Sequence, residues 1–473
     1  VKTIQEILAF CNENHVQMVD FKMIDIVGRW RHLTFPVERL TENTMQYGIG
    51  FDGSNYGYAS VENSDMVFIP DLETAVIDPF AHVKTLSMMG NVMVIRQTEN
   101  KPFDQYPRNV ALRAEEYMRS LGVADQMLCG PEHEFYIFDS VRFESLPNRV
   151  FYEVDAENAE WNSGKLASGY TVPHKGNYHL TPPHDMNWDL RSRMCLAMEE
   201  WGVKVKYHHT EVGGCSQQEI EVEYDDMTRT ADKAMIAKYI IKNTAAQAGK
   251  TATMMPKPVR GEAGNGMHIH MQLFKGGSNL FFDESGYSHL SDTALWFIGG
   301  ILKHASSLCG ITNPSTNSFK RLVPGFEAPV TIGYATANRS AVIRIPAYAK
   351  SPEDKCFELR NPDATCNMYY ALAAILMAGI DGVQNRIDPQ ANGWGPYDFN
   401  LFDLPEKERK SIGGLPKSLG EALDALENDH VYLTAGGVFP ESLITQWIAR
   451  KRAEQDDVDR VPHPAEFALY YDL

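Results

Sequence analysis

The sequence predicts an α+β protein: a small β-rich unit at the N-terminus, then a large α/β domain of about 370 residues. Three observations carry that reading. At 473 residues the chain is longer than one compact core usually holds. The opening stretch reads mainly as strands and ends in a polar linker at 99–107. Strands and helices then alternate to the end.

Taken in order, Thr3-Ile-Gln-Glu6 forms a capping box, and Ile4, Ile7 and Leu8 supply the apolar face of a first helix. Strands are expected at 17–25, 30–37 and 91–97, with a turn at 26–28. Pro107 is placed to open a helix over 108–121 that Gly122 stops. A longer helix is expected over 231–248, capped by Thr230, ended by Gly249, with Ile236, Tyr239 and Ile240 on one stripe. A helix over 369–383 is almost wholly apolar and is therefore expected to be buried.

Composition excludes several function classes. Hydrophobic residues make up 44% and charged residues 22%, which fits a folded chain and not a disordered one. With 44 Lys and Arg against 62 Asp and Glu, the net charge is −18, which repels phosphate backbones and anionic lipid. Neither nucleic acid nor membrane is an expected partner. The longest apolar run, 369–380, falls short of the ~20 residues that a spanning helix needs. Glu6 interrupts any apolar run at the start, so a secretory signal is not expected. Seven scattered cysteines without a Cys-x-x-Cys pair suit a reducing cytoplasm, the expected location.

The chemistry is carried by strands with an acid, His or Arg at every second residue. Side chains two apart share a strand face, so Glu132 and Glu134 point the same way in Gly130-Pro-Glu-His-Glu-Phe135. Glu219, Glu221 and Glu223 share a face, with Ile220, Val222 and Tyr224 opposite; His268 pairs with His270, and Glu358 with Arg360. Any one of these also fits a half-solvated antiparallel strand with its polar side in water. Together, with Arg339 and Arg344 nearby in sequence, they point to one polar cavity lined by several strands. Like charges around a cavity repel unless a cation sits between them. Carboxylate-dominated ligands select Mg²⁺ or Mn²⁺ over zinc, and one or two histidines tilt toward Mn²⁺. The chain has no His-Glu-x-x-His, cysteine knuckle or P-loop. Gly261-Glu-Ala-Gly-Asn-Gly266 fits either a ligand loop or a flexible lead into a strand. Spacing alone stops at a metal-dependent phosphoryl-transfer enzyme.

Motifs along almost the whole chain resemble the type I glutamine synthetases. They run through Phe51-Asp-Gly-Ser-Asn-Tyr56, Asn63-Ser-Asp-Met-Val67, Gly130-Pro-Glu-His-Glu-Phe135 and His208-His-Thr-Glu211 with Gln218-Glu219. They continue in Lys257-Pro258, Gly266-Met-His-Ile-His270 and the segment 317–329, then Asn338-Arg-Ser-Ala341, Ile343-Arg-Ile-Pro346 and Glu358-Leu-Arg360. Asn400-Leu-Phe-Asp-Leu-Pro405 and the segment 463–471 complete the series.

The resemblance implies a β-grasp domain at 1–103, then a catalytic α/β barrel-like domain at 104–473 with a C-terminal helical segment. It implies ATP-dependent condensation of glutamate with ammonia through a γ-glutamyl phosphate. It also implies two stacked hexameric rings, a dodecamer, with active sites between neighbouring subunits. One Mg²⁺ or Mn²⁺ would sit on Glu134, Glu211 and Glu219, another on Glu132, His268 and Glu358. His270, Arg339, Arg344 and Tyr224 would serve ATP and its phosphates; Gly264, Arg321, Glu327 and Arg360 would hold glutamate. Asp52 of a neighbouring subunit would take the proton of ammonium, with Glu211 and Tyr178 completing its site, and Glu327 would close over the intermediate.

The chain departs from the family pattern in places. Ala263 stands where an Asn is usual, so one amide on the glutamate side is absent, and Asn55 replaces a Ser. Pro352-Glu-Asp-Lys-Cys-Phe357 replaces a basic run. Phe402 occupies the position of the tyrosine that one branch adenylylates, and it has no hydroxyl to modify. An Arg that serves glutamine feedback in another branch has no counterpart in Ser60-Val-Glu-Asn63. The alternatives within reach are a γ-glutamyl-amine (polyamine) ligase, a non-catalytic structural homologue and a γ-glutamyl hydrolase.

Overall fold

The computed structural model describes residues 2–58, 65–95, 100–166, 169–323, 328–336, 340–399 and 412–473. The Thr3 hydroxyl accepts from the Glu6 amide while the Glu6 carboxylate accepts from the Thr3 amide, closing the expected capping box on the helix Ile4–Glu13. The strands of the N-terminal unit are β1 (Met18–Ile24), β2 (Trp30–Pro36), β3 (Ile49–Asp52), β4 (Asp65–Pro70), β5 (Val76–Ile77), β6 (Thr85–Met88), β7 (Gly90–Val94) and β8 (Lys101–Pro102). They form two sheets, ordered β2-β1-β6-β5 and β3-β4-β7-β8. β1 and β6 run parallel; the other pairs are antiparallel. Phe21 of β1 packs on Phe35 and on Phe68 of β4, at centroid distances of 5.1 and 5.0 Å, and so joins the two sheets.

Part of the stretch expected as linker is β8, paired with β7. Pro107 then opens the helix Pro107–Ser120 at its first turn, and Gly122, at φ +64°, follows the cap residue Leu121.

The large domain is built on β9 (Gln126–Phe138), β10 (Ser140–Leu146), β11 (Arg149–Asp155), β12 (Val205–Thr210), β13 (Gln217–Val222), β14 (Asp225–Asp226), β15 (Thr251–Thr253), β16 (Ile269–Lys275), β17 (Ser278–Asn279), β18 (Thr331–Thr336), β19 (Ala341–Ile345) and β20 (Phe357–Leu359). The main sheet runs β12-β13-β9-β16-β20-β19-β18; β10 and β11 form a separate hairpin. The thirteen-residue β9 lies between β13 and β16 and also pairs with β14 and β15. One face is apolar: Phe135, Ile137, Ile220, Ile269 and Leu359 are fully buried there. The helices Met227–Gln247 and Met368–Asn385 are buried in the same core. Period-two alternation leaves the other face to the acids and histidines.

The helix expected over 231–248 begins earlier, at Met227, behind Asp226. Thr230, expected to cap it, lies inside and donates to Cys129 O at 3.1 Å and Asp225 O at 3.0 Å. The helix expected over 369–383 is Met368–Asn385, and every residue from Met368 to Ile380 is buried. No single helix among the described residues is long and apolar enough to cross a membrane. All seven cysteines are free and buried.

Candidate active site

Register on the main sheet assembles the site. β13 and β9 pair antiparallel with Glu219 opposite Glu134 and Glu221 opposite Glu132. Directly opposed side chains lie on one face within reach of each other. On the other flank, β16 pairs β20 with His270 opposite Glu358, and β19 pairs β20 with Arg344 opposite Glu358. Five acids, a histidine and an arginine are thus brought to one surface by strand pairing alone. That surface forms part of a cavity of about 1020 Å³, which Glu132, Glu134, Glu211, Glu219, Glu221, His268 and Glu358 all line. Glu223, read as sharing this face, follows the end of β13 and is exposed.

Two histidines tie the acids together. His268 Nδ1 lies 2.6 Å from Glu132 Oε2, 3.6 Å from Glu134 Oε1 and 3.5 Å from Glu358 Oε1. His270 Nε2 lies 2.9 Å from Glu132 Oε1. Burial opposes ionisation of Glu132, but both imidazoles outweigh it and hold its carboxyl well below the usual range. Burial and Glu132 likewise oppose ionisation of Glu358, and Arg360 with the two histidines outweighs them. Glu219 goes the other way: burial and the facing Glu132, Glu134, Glu211 and Glu221 push its carboxyl well up.

The donor set fits hard divalent cations. Glu132, Glu134 and His268 present ligand atoms within 4.8 Å of one another, and so do His209, Glu211 and Glu219, and Glu132, Glu219 and Glu221. Oxygen-rich sets with an occasional imidazole match Mg²⁺ and Mn²⁺. The like-charge crowding at Glu219 is the strain that a cation between the carboxylates relieves. His209 was not expected in the site, and Glu221, expected on the cavity face, was not among the expected metal ligands. Both carried a signal in alternation: His209 lies two residues before Glu211, and Glu221 two after Glu219.

The cationic groups sit at the rim of the acid wall. Arg344 Nη1 donates to Glu358 Oε2 at 2.7 Å, and Arg360 Nε donates to Glu358 Oε1 at 2.9 Å. Arg321 is buried, lines the cavity, and donates to the carbonyls of Arg360 at 3.0 Å and Asn361 at 2.9 Å. Gly264 and Ala263 line the cavity on the loop ahead of the histidines. The loop is held in place: Gln217 Nε2 donates to Gly264 O at 3.1 Å and to Asn265 Oδ1 at 2.9 Å, and Tyr136 OH donates to Ala263 O at 2.7 Å. The Gly266 amide donates to Glu134 Oε2 at 2.7 Å. A Cβ at Gly266 would come within 2.5 Å of Arg321 Nη2 and 2.7 Å of His268 Nε2, so only glycine lets the loop pass this close.

Other expected residues lie apart. Tyr178 lines the cavity, stacked on His179 with ring centroids 4.0 Å apart. Tyr224 is not among the lining residues; its ring stands edge-on to His270 at 6.5 Å, and a Cβ on Gly130 would meet it at 3.4 Å. Asp52 is exposed at the end of β3, accepting from the Ser54 amide at 2.9 Å, and no described residue of the N-terminal unit lines the cavity. Glu327, Arg339 and Phe402 lie outside the described residues.

Known proteins resemble the chain along most of its length. The family model for the glutamine synthetase catalytic domain matches residues 104–470, and that for the glutamine synthetase β-grasp domain matches residues 15–95. A protein of Mycobacterium bovis named glutamine synthetase is 45% identical over 481 residues, covering 100% of this chain and 99% of its own. One of Aquifex aeolicus with the same name is 45% identical over 472 residues, with the same coverage. Among solved structures, the cryo-electron-microscopy structure of Plasmodium falciparum glutamine synthetase superposes with a TM-score of 0.88 at 28% identity, covering 100% of this chain and 99% of that one.

Proposed function

The chain belongs to the glutamine synthetase family, and on that premise we propose how its residues divide the work of condensing glutamate with ammonia at the expense of ATP. The division into units at 1–103 and 104–473 belongs to the same proposal. A carboxylate is a poor electrophile at neutral pH, so the reaction has two stages. The glutamate side-chain oxygen attacks the γ-phosphorus of ATP, giving γ-glutamyl phosphate and ADP. Ammonia then attacks the acyl carbon and phosphate leaves with the former carboxylate oxygen.

Glu134, Glu211 and Glu219 would hold one divalent cation, and Glu132, His268 and Glu358 another. Bound there, the ions supply Lewis-acid charge that neutralises phosphate oxygens. The single observation that supports this is the pairing of Glu134 with Glu219 and Glu132 with Glu221 across β9 and β13. Four carboxylates facing one another have little structural use without a counter-charge.

Arg344, freed from Glu358 when that carboxylate takes a cation, would meet the charge building on the transferred phosphoryl group, along with His270 and Arg339. Arg321 and Arg360 would orient the glutamate carboxylates, with Gly264 offering backbone contacts. Tyr224 acts on the nucleotide side through His270. Ammonium needs an anionic site that accepts its proton, and Tyr178 and Glu211 would form it with Asp52 as the base. Since no residue of the described N-terminal unit lines the cavity, Asp52 would come from a neighbouring subunit, which a dodecamer of two hexameric rings would provide. Glu327 would shield the acyl phosphate from water. Seven free thiols suit a cytoplasmic enzyme.

The test is phosphate release from ATP with glutamate and Mg²⁺ or Mn²⁺, with ammonium and with candidate amines in separate arms. Turnover with ammonium supports the reading. Turnover only with a larger amine would replace it with a γ-glutamyl-amine ligase.

A further inference from the structure

Where the N-terminal unit meets the helices Met227–Gln247 and Glu441–Asp459, a second cavity of about 690 Å³ opens. Its wall carries Arg29, Lys238, Lys242, Arg450 and Lys451 against one carboxylate, Glu454. Glu454 is already engaged, by Lys451 Nζ at 2.7 Å and by Arg450 Nε at 3.4 Å. In a chain of net charge −18, such a gathering of cations runs against composition. Solvation at a surface accounts for Arg29 and Lys242, which are exposed, but not for the whole cluster. Lys451 is buried, and Lys238 Nζ is held against Ala364 O at 2.7 Å. Burial lowers the pKa of Lys238. One carboxylate among five cations in the wall leaves an excess of positive charge.

The rest of the wall is apolar and aromatic. Trp30 and Tyr239 stand with ring centroids 5.3 Å apart, and Met235 and Met255 lie beside them. The cavity therefore offers a charged half and a half suited to a carbon body, the mixture typical of small-molecule sites. We propose that it binds a small organic polyanion bearing phosphoryl or carboxyl groups, separate from the active site. Its occupant bridges the two units. Arg29 belongs to the loop between β1 and β2, which Asn367, at the start of the helix Met368–Asn385, grips through Ile26 O at 3.1 Å. Lys238 belongs to the helix Met227–Gln247, which packs against β9, the strand that carries Glu132 and Glu134.

The test is calorimetric titration of tripolyphosphate, and separately of citrate, into the full-length assembled protein and into an Arg29→Glu/Lys242→Glu variant. The wild type should bind one anion per subunit that the variant binds about tenfold more weakly or worse. Glutamine formation should stay at the wild-type rate in the variant, since neither residue touches the active site. Tighter binding of tripolyphosphate identifies phosphoryl groups as the preferred anion, and tighter binding of citrate identifies carboxyl groups. Lys242→Gln, at an exposed head group, serves if charge reversal prevents folding. Equal affinity of both anions for wild type and variant, or no binding to either, would overturn the proposal.

Discussion

Glu134 on β9 stands directly opposite Glu219 on β13, both buried and both facing the cavity. The two carboxylates are kept together by strand pairing, not by attraction, and Glu219 bears the strain. Its folded-state pKa lies above its unfolded value, so its ionisation costs stability as pH rises from the unfolded value of about 4.3.

Glu219→Gln should therefore melt at an equal or higher temperature than the wild type in metal-free buffer at neutral pH. The same variant should lose turnover by about a hundredfold or more and gain less thermal stability from added Mn²⁺. Melting curves with and without metal check both halves. A metal-free variant that melts well below the wild type would contradict the like-charge account.

Gly266→Ala addresses the closeness of loop and site. The added carbon collides with Arg321 Nη2 and His268 Nε2, and the Gly266 amide that holds Glu134 shifts with it. Turnover should fall about tenfold to a hundredfold while circular dichroism stays unchanged. Wild-type activity would show that the loop has room to spare.

The exposed position of Asp52 leads to a complementation experiment. Co-assembled Asp52→Ala and Glu134→Ala subunits should recover activity that neither parent shows, since under the proposed sharing some sites then receive an intact Asp52 and an intact acid wall. Hybrids no more active than their parents would remove the shared site.

Away from the cavity, His304 is buried between two acids, with Nδ1 2.8 Å from Asp429 Oδ2 and Nε2 3.0 Å from Asp381 Oδ2. Burial disfavours its charge, but the two carboxylates outweigh burial and raise its pKa, while Asp381 is lowered to about 2. A histidine with a raised folded pKa contributes stability that is fully present below about pH 6.5 and is lost as pH rises through the folded value. His304→Gln should lose about 1–3 kcal/mol at pH 6 and less at pH 9. Unfolding measured at both pH values decides it; an equal loss at each would show that the pair is not charged.

Much of this was legible in the sequence because alternation reports which side chains share a face. Glu132 with Glu134 and Glu219 with Glu221 could be read that way. That Glu134 faces Glu219 could not, since strand partners far apart in sequence are chosen by the packing of whole sheets. The parity that puts His209 beside Glu211 was readable, but two adjacent histidines offered two choices of face. Thr230 looked like a cap because it precedes an apolar stripe; the pairing of Asp225 and Asp226 with β9 instead starts the helix earlier. The roles expected of Asp52, Tyr178 and Arg321 came from resemblance, since an Asp-Gly turn, a lone tyrosine and a Lys-Arg pair carry no chemistry of their own in sequence.

The most direct test of the central claim, that this acid wall serves ATP-dependent glutamine synthesis through bound divalent cations, is product stoichiometry in metal-stripped protein. Glutamate, ammonium and ATP are supplied, and ADP, phosphate and glutamine are measured before and after Mn²⁺ is restored. The account predicts no product before and equal amounts of all three after. Glutamine formed at full rate without metal, or ADP released on metal addition with no glutamine, would contradict it.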